Sequence, residues 1–223
     1  MTISGFPGTP KTLRGGLVRI DPTARRLLDV VVFQYNPDTL TRTLQPRAIG
    51  GEPGDRLEAL RLWGPPHEVI KFDAEIDAAD QLEHPTDSAS QPVVTQGLLP
   101  ALALLERLVT PTAAELIATD ALFDNGMFEV SPVEAPLVVL VWGVKRVVPV
   151  LVSSLTFTEE AFDPRLQPIR VKASIECKVL TSSDLPLQHV GGTLYIAYRQ
   201  AVEQLAAMVT SSDVRSLGLE HLP

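Results

Sequence analysis

Two long apolar runs joined by an acidic, proline-punctuated connection dominate residues 136–181, PLVVLVWGVKRVVPVLVSSLTFTEEAFDPRLQPIRVKASIECKVLT. In the second run Ile169, Val171, Ala173, Ile175, Cys177 and Val179 fall on one face, and Arg170, Lys172, Ser174, Glu176 and Lys178 on the other. That is the alternation of a half-buried strand. At about 3.3 Å per residue such a run reaches about 40 Å, well beyond the usual strand of about five or six residues. The pattern predicts a pair of strands forming either a ribbon that projects from a small body or one wall of a ring.

Around this pair the remaining segments predict a strand-dominated α+β fold. Residues 1–16, with Gly5, Pro7, Gly8, Pro10, Gly15 and Gly16, read as a flexible leader ordered by a partner. Leu17 to Ile20 and Leu28 to Tyr35 read as strands around Asp21-Pro22-Thr23, the second ended by Asn36-Pro37-Asp38. Thr43 to Pro66 reads as a loop with its tip at Gly50 to Asp55, and Glu68 to Asp77 alternates again as a strand.

Leu98, Leu102, Leu105 and Val109 form a helical stripe, predicting a helix near 97–109 with Pro100 in its first turn. A short helix follows over Ala113 to Leu122, before a turn at Asp124-Asn125-Gly126. Leu194, Tyr198, Ala201, Leu205 and Met208 mark a C-terminal helix from Thr193 to Thr210, with Thr193 as its cap. Residues 17–192 thus form one β-rich domain, and 193–223 a helix and tail.

Charge and cysteine content narrow the function classes. Nineteen basic against twenty-seven acidic residues give a net charge of −8, which argues against general nucleic-acid binding. Cys177 is the single cysteine, so no internal disulfide framework is possible and cytoplasmic synthesis is expected. The N-terminus has no apolar signal-peptide core, and Lys145, Arg146 and Pro149 interrupt the longest apolar stretch. Direct membrane insertion is therefore not expected.

Catalysis has little to rest on. No nucleophile elbow, zinc-protease helix motif, paired-cysteine motif or phosphate-binding loop is present. His67, His84, His189 and His221 are isolated, without helically spaced partners, so no metal or cofactor is expected. Glu159, Glu160 and Asp163 could supply a glycosidase's two carboxylates, but only 5% of the chain is aromatic, too little for sugar platforms. Asp163-Pro164 followed by Pro168 reads better as a turn feeding the next strand, with Glu159 and Glu160 at a solvated or partner-facing corner. Trp142-Gly143 reads equally as a core tryptophan beside a bulge glycine or as a subunit contact. Lys145, Arg146, Arg165, Arg170, Lys172 and Lys178 read as solvated strand faces or as intersubunit pairs with acidic loops.

The segment VWGVKRVVPVLVSSLTFTEEAFDPRLQPIRVKASIECKVLT resembles the core signature of tube and baseplate-adaptor proteins of phage-tail-like contractile injection systems. FQYNPDTLTR at Phe33 to Arg42, GLLPALALLERL at Gly97 to Leu108 and FEVSPVEAPLVVLVWG at Phe128 to Gly143 agree with the same family in the same order. The resemblance spans Val18 to Leu185. It implies a β-sandwich or barrel-like body with a flanking helix and a C-terminal helix, six-fold rings around a channel, and no enzymatic activity.

It also implies a long hairpin, Val144 to Thr158 with Leu166 to Leu180, that takes part in stacking rings, with Thr158 to Pro168 at or near its tip. The subunit contacts it implies are Trp142, Gly143, Arg146, Glu159, Glu160, Phe162, Asp163, Pro164, Pro168 and Arg170. The partners would be copies of the chain itself, the inner tube, the spike hub and other baseplate subunits, in a particle assembled in the cytoplasm and then retained or released.

The leader, the 43–66 loop and the C-terminal helix favour the adaptor over an inner tube subunit. Many adaptors carry a C-terminal LysM module, for which the sequence up to Pro223 leaves no room. Two readings from other classes stay open: a monomeric carbohydrate- or ligand-binding β domain, and a small hydrolase using Glu159 or Asp163.

Overall fold

The computed structural model describes residues 13–48, 61–124 and 136–209. Seven strands and five helices make up this part of the chain. The strands are β1 (Gly16–Asp21), β2 (Arg26–Val32), β3 (Leu40–Gln45), β4 (His67–Asp77), β5 (Leu137–Val141), β6 (Val147–Phe162) and β7 (Pro168–Val179). The helices α1 (Ala79–Glu83), α2 (Gln91–Gln96), α3 (Leu99–Glu106) and α4 (Ala113–Asp124) lie between β4 and β5, and α5 (Val190–Ala207) follows β7. The fold is α+β and β-dominated.

All seven strands form one antiparallel sheet in the order β2-β1-β5-β6-β7-β4-β3. The expected sandwich or barrel body is a single curled sheet. Gln34, just beyond β2, donates through Nε2 to the Asp77 carbonyl at 2.8 Å and accepts the Asp77 amide at 3.0 Å. One flank of the sheet is thereby tied to the end of β4 on the other. Phe33, Phe72 and Trp142 fill the space inside the curl, with ring centroids 5.3, 6.3 and 6.1 Å apart.

The alternation in β7 carries through to packing. Val171, Ala173, Ile175, Cys177 and Val179 are buried, while the opposite face pairs across to β4 and to the following turn. Lys71 meets Glu176 at 2.7 Å, Lys172 meets Asp73 at 2.8 Å, Arg170 meets Asp77 at 2.9 Å, and Lys178 meets Asp184 at 2.7 Å. Solvent screens exposed pairs of this kind, so the row contributes to register more than to stability.

Cys177 lies in the core, and burial pushes its thiol up to about 12. We expect the native protein to resist iodoacetamide at mildly alkaline pH and to be alkylated only on unfolding, which mass spectrometry reads directly. Because the thiol ionises less readily when folded, it also costs stability as pH rises from 9.0 towards about 12.

Four expectations are corrected. The hairpin does not project bare, because α1–α3 pack against its far half. Ala78, Leu98, Leu102 and Val171 form a second buried cluster there, with Phe157 and Ile169 against it. The helix expected near 97–109 is α3, but the segment before it is helical as well, and α2 is parted from α3 where Gly97 takes φ +58° and its neighbour Leu98 donates to the Pro168 carbonyl at 2.8 Å. A Cβ at Gly97 would stand 2.7 Å from that same carbonyl oxygen, so glycine lets the helices sit against β7.

The third correction is β3, which overlaps the predicted loop. In LTRTLQ Arg42 interrupts Leu40 and Leu44 on one face and the other face is polar, as suits an edge strand, and that composition hid it. Last, α5 starts three residues early, capped by His189, whose Nδ1 accepts from the Gly191 amide at 3.0 Å. Thr193 instead donates to the Leu187 carbonyl at 3.0 Å.

At the start of the chain, residues 13–16 belong to the fold. Asn36 accepts the Gly15 amide and donates to the Leu13 carbonyl, both at 2.8 Å. The rest of the predicted leader, the Gly50 to Asp55 loop tip, the Asn125-Gly126 turn and the 210–223 tail lie outside the described residues. Among those described, no helix is long and apolar enough to cross a membrane.

Candidate assembly interface

The residues singled out from sequence separate into two groups at opposite ends of β6. Trp142, Gly143 and Arg146 form the turn between β5 and β6, whereas Glu159, Glu160, Phe162, Asp163, Pro164, Pro168 and Arg170 lie at the far end around the β6–β7 turn. The 16-residue strand between them spans about 50 Å at about 3.3 Å per residue.

At the near end, the Trp142 amide donates to the Arg146 carbonyl at 2.8 Å and the Arg146 amide to the Gly143 carbonyl at 3.3 Å. Gly143 sits at φ +81°, the left-handed conformation a tight turn of this kind requires. Trp142 is half-buried between the core aromatics and a surface groove, so it serves both of its sequence readings. Next to it Val144 is 84% exposed.

At the far end Asp163 organises the turn. Its Oδ1 accepts the Arg165 amide at 2.8 Å and the Gln167 amide at 2.9 Å, and its own amide donates to the Gln167 carbonyl at 2.9 Å. This matches the turn reading of Asp163-Pro164. Pro168 is fully buried, so it belongs to the core and not to a surface contact. Arg170 is held by Asp77, whose hydrogen bond raises the guanidinium further above its ordinary value. Glu159 and Glu160 are exposed.

Phe162 is 48% exposed and Leu166 80%. Leu166 also holds φ +63°, a conformation that costs a leucine about 1–2 kcal/mol. The sheet's own edges add to this surface. β2 and β3 are the outermost strands, and Leu27, Val30 and Val32 on β2 are exposed.

Sequence reasoning missed Val144 and Leu166, which it read as strand positions, and the outward role of Leu205. Helical spacing placed Leu205 and Met208 on the core stripe, but periodicity alone cannot separate a core face from an interface. Both are exposed, whereas Tyr195 and Tyr198 earlier in α5 are buried.

Other concavities are modest. One of about 270 Å³ lies between β2, β4 and α3, lined by Val32, Phe33, Ile76, Ala101 and Leu104. One of about 420 Å³ lies over the charged row near Tyr35, Glu160 and Arg170. Among the described residues no group of three or more His, Cys, Asp or Glu side chains is placed to hold a metal ion. No protein-family model matches the chain, and no curated protein matches it.

Proposed function

We propose that this chain is a structural baseplate component of a phage-tail-like contractile injection system, forming a ring, six-fold by resemblance, that connects the spike hub to the inner tube. The observation that carries the reading is the exposure of apolar side chains at both ends of one long hairpin, on a sheet whose outer strands β2 and β3 pair on one side only among the described residues. A monomer gains nothing from this, since exposed edges and apolar ends invite association. A ring pairs the edges laterally, and the hairpin ends meet the layers above and below.

The adaptor is preferred to an inner tube subunit because α1–α4 and α5 are additions to the sheet. Assembly takes place in the cytoplasm, where the chain is made.

The test is the double variant Phe162→Ser with Leu166→Ser, which spares the turn-forming Asp163. The purified variant should melt within about 1 °C of the parent, as exposed positions allow. Particle yield in the producing cell should fall about tenfold or more. Parental yield would overturn the proposed interface.

A further inference from the structure

Opposite the hairpin turn, a groove of about 550 Å³ opens between the Trp142–Arg146 turn and the C-terminal half of α5. Its apolar wall comes from Trp142, Val144, Tyr198, Val202 and Leu205. Tyr198, Val202 and Leu205 lie on one stripe of α5, which at about 1.5 Å per residue is about 10 Å of helix surface. Lys145 and Arg146 stand at the groove, and neither makes an ion pair among the described residues. By contrast Arg19, Arg26, Arg42, Lys71, Arg107, Arg170, Lys172 and Lys178 are paired with carboxylates.

We infer that this groove is a docking site for a short acidic amphipathic helix of a different protein, with its apolar stripe against α5 and its carboxylates on Lys145 and Arg146. Charge complementarity selects that occupant. A purely apolar segment would bury the two cations without a counter-charge, and a basic segment would be repelled. The spacing on α5 suits two to three turns of helix laid along the groove.

A second copy docking by its β6–β7 turn is a poorer fit. That turn carries exposed Arg165 between Phe162 and Leu166, which would bring a third cation against Lys145 and Arg146. The groove shares its Trp142–Val144 wall with the hairpin end that the ring reading gives to a neighbouring layer, but its test needs only the folded chain, so either can fail without the other.

Two fluorescein-labelled helical peptides of about 14 residues test it, sharing one leucine stripe and differing only in glutamate or lysine flanks. With the full chain, fluorescence anisotropy should show binding of the glutamate peptide alone, weakening with added salt. Lys145→Glu with Arg146→Glu should weaken it at least about tenfold. Should that variant melt below the parent, Val144→Ser at the most exposed wall position should give a loss in the same direction. Equal binding of both peptides, or glutamate-peptide binding unchanged in these variants, would overturn the proposal. So would self-association of the parent that charge reversal dissolves, because a second copy would then fill the groove.

Discussion

Replacing Arg42 with alanine should lower stability by about 3–5 kcal/mol, the usual cost of removing one partner from a buried ion pair. Arg42 on β3 meets Glu68 Oε1 through Nε at 2.7 Å and Nη2 at 2.6 Å, and Nη2 also donates to the Tyr198 hydroxyl at 2.6 Å. One guanidinium therefore joins an edge strand, its neighbour β4 and α5. Burial by itself would lower the Arg42 pKa, but the hydrogen bond and charge of Glu68 raise it above the ordinary value.

The asymmetry in exposure sets the direction of the effect. The Glu68 side chain is 4% exposed and that of Arg42 27%, so loss of the arginine strands a carboxylate that water cannot reach. Thermal denaturation should show a drop on the order of 10 °C. The paired change Arg42→Met with Glu68→Met should recover most of it, because no unpaired charge remains. A loss below about 1 kcal/mol in the single variant would mean that the pair behaves as a solvated surface contact.

Leu105→Ala should cost about 2–5 kcal/mol, the range for deleting a buried leucine. Leu105 is 2% exposed and enters the main core from α3, packed with strand residues such as Val31 and Ala74. The end of α3 is also clamped. Arg19 donates to the Arg107 carbonyl at 2.9 Å and meets Asp29 at 2.7 Å, while Arg107 reaches the other Asp29 oxygen at 3.2 Å. This clamp should keep the helix in place while its core contact is lost. Hydrogen exchange should accordingly quicken most at the amides of Leu102 to Glu106, with β6 and β7 changing less. Uniform quickening across the sheet would show that α3 and the sheet unfold as one unit.

The contrast between β7 and β3 shows what could be read from the residues alone. In β7 every second side chain from Val171 to Val179 is apolar and buried, so period and packing agree. In β3 the same backbone carries Thr41, Arg42 and Thr43, and only pairing with β4 reveals it as a strand. The long hairpin was legible for the same reason as β7. Its cover of helices was not, because the break at Gly97 depends on a carbonyl of Pro168 far along the chain.

The candidate interface was half legible. Acidic and proline residues marked the far turn, and structure confirms Asp163 as its organiser. Leu166 and Val144 looked like any strand leucine and valine, and only folding places both in solvent. Pro168 moved the other way, from expected contact to buried core.

The measurement that tests the central proposal most directly is electron microscopy of the chain's native complex, purified gently from the cells that make it. Rod-shaped particles with a baseplate containing this chain as a ring at the base of the inner tube are the predicted result. Recovery only as a 24.2 kDa monomer, from cells in which no such particle is found, would contradict it.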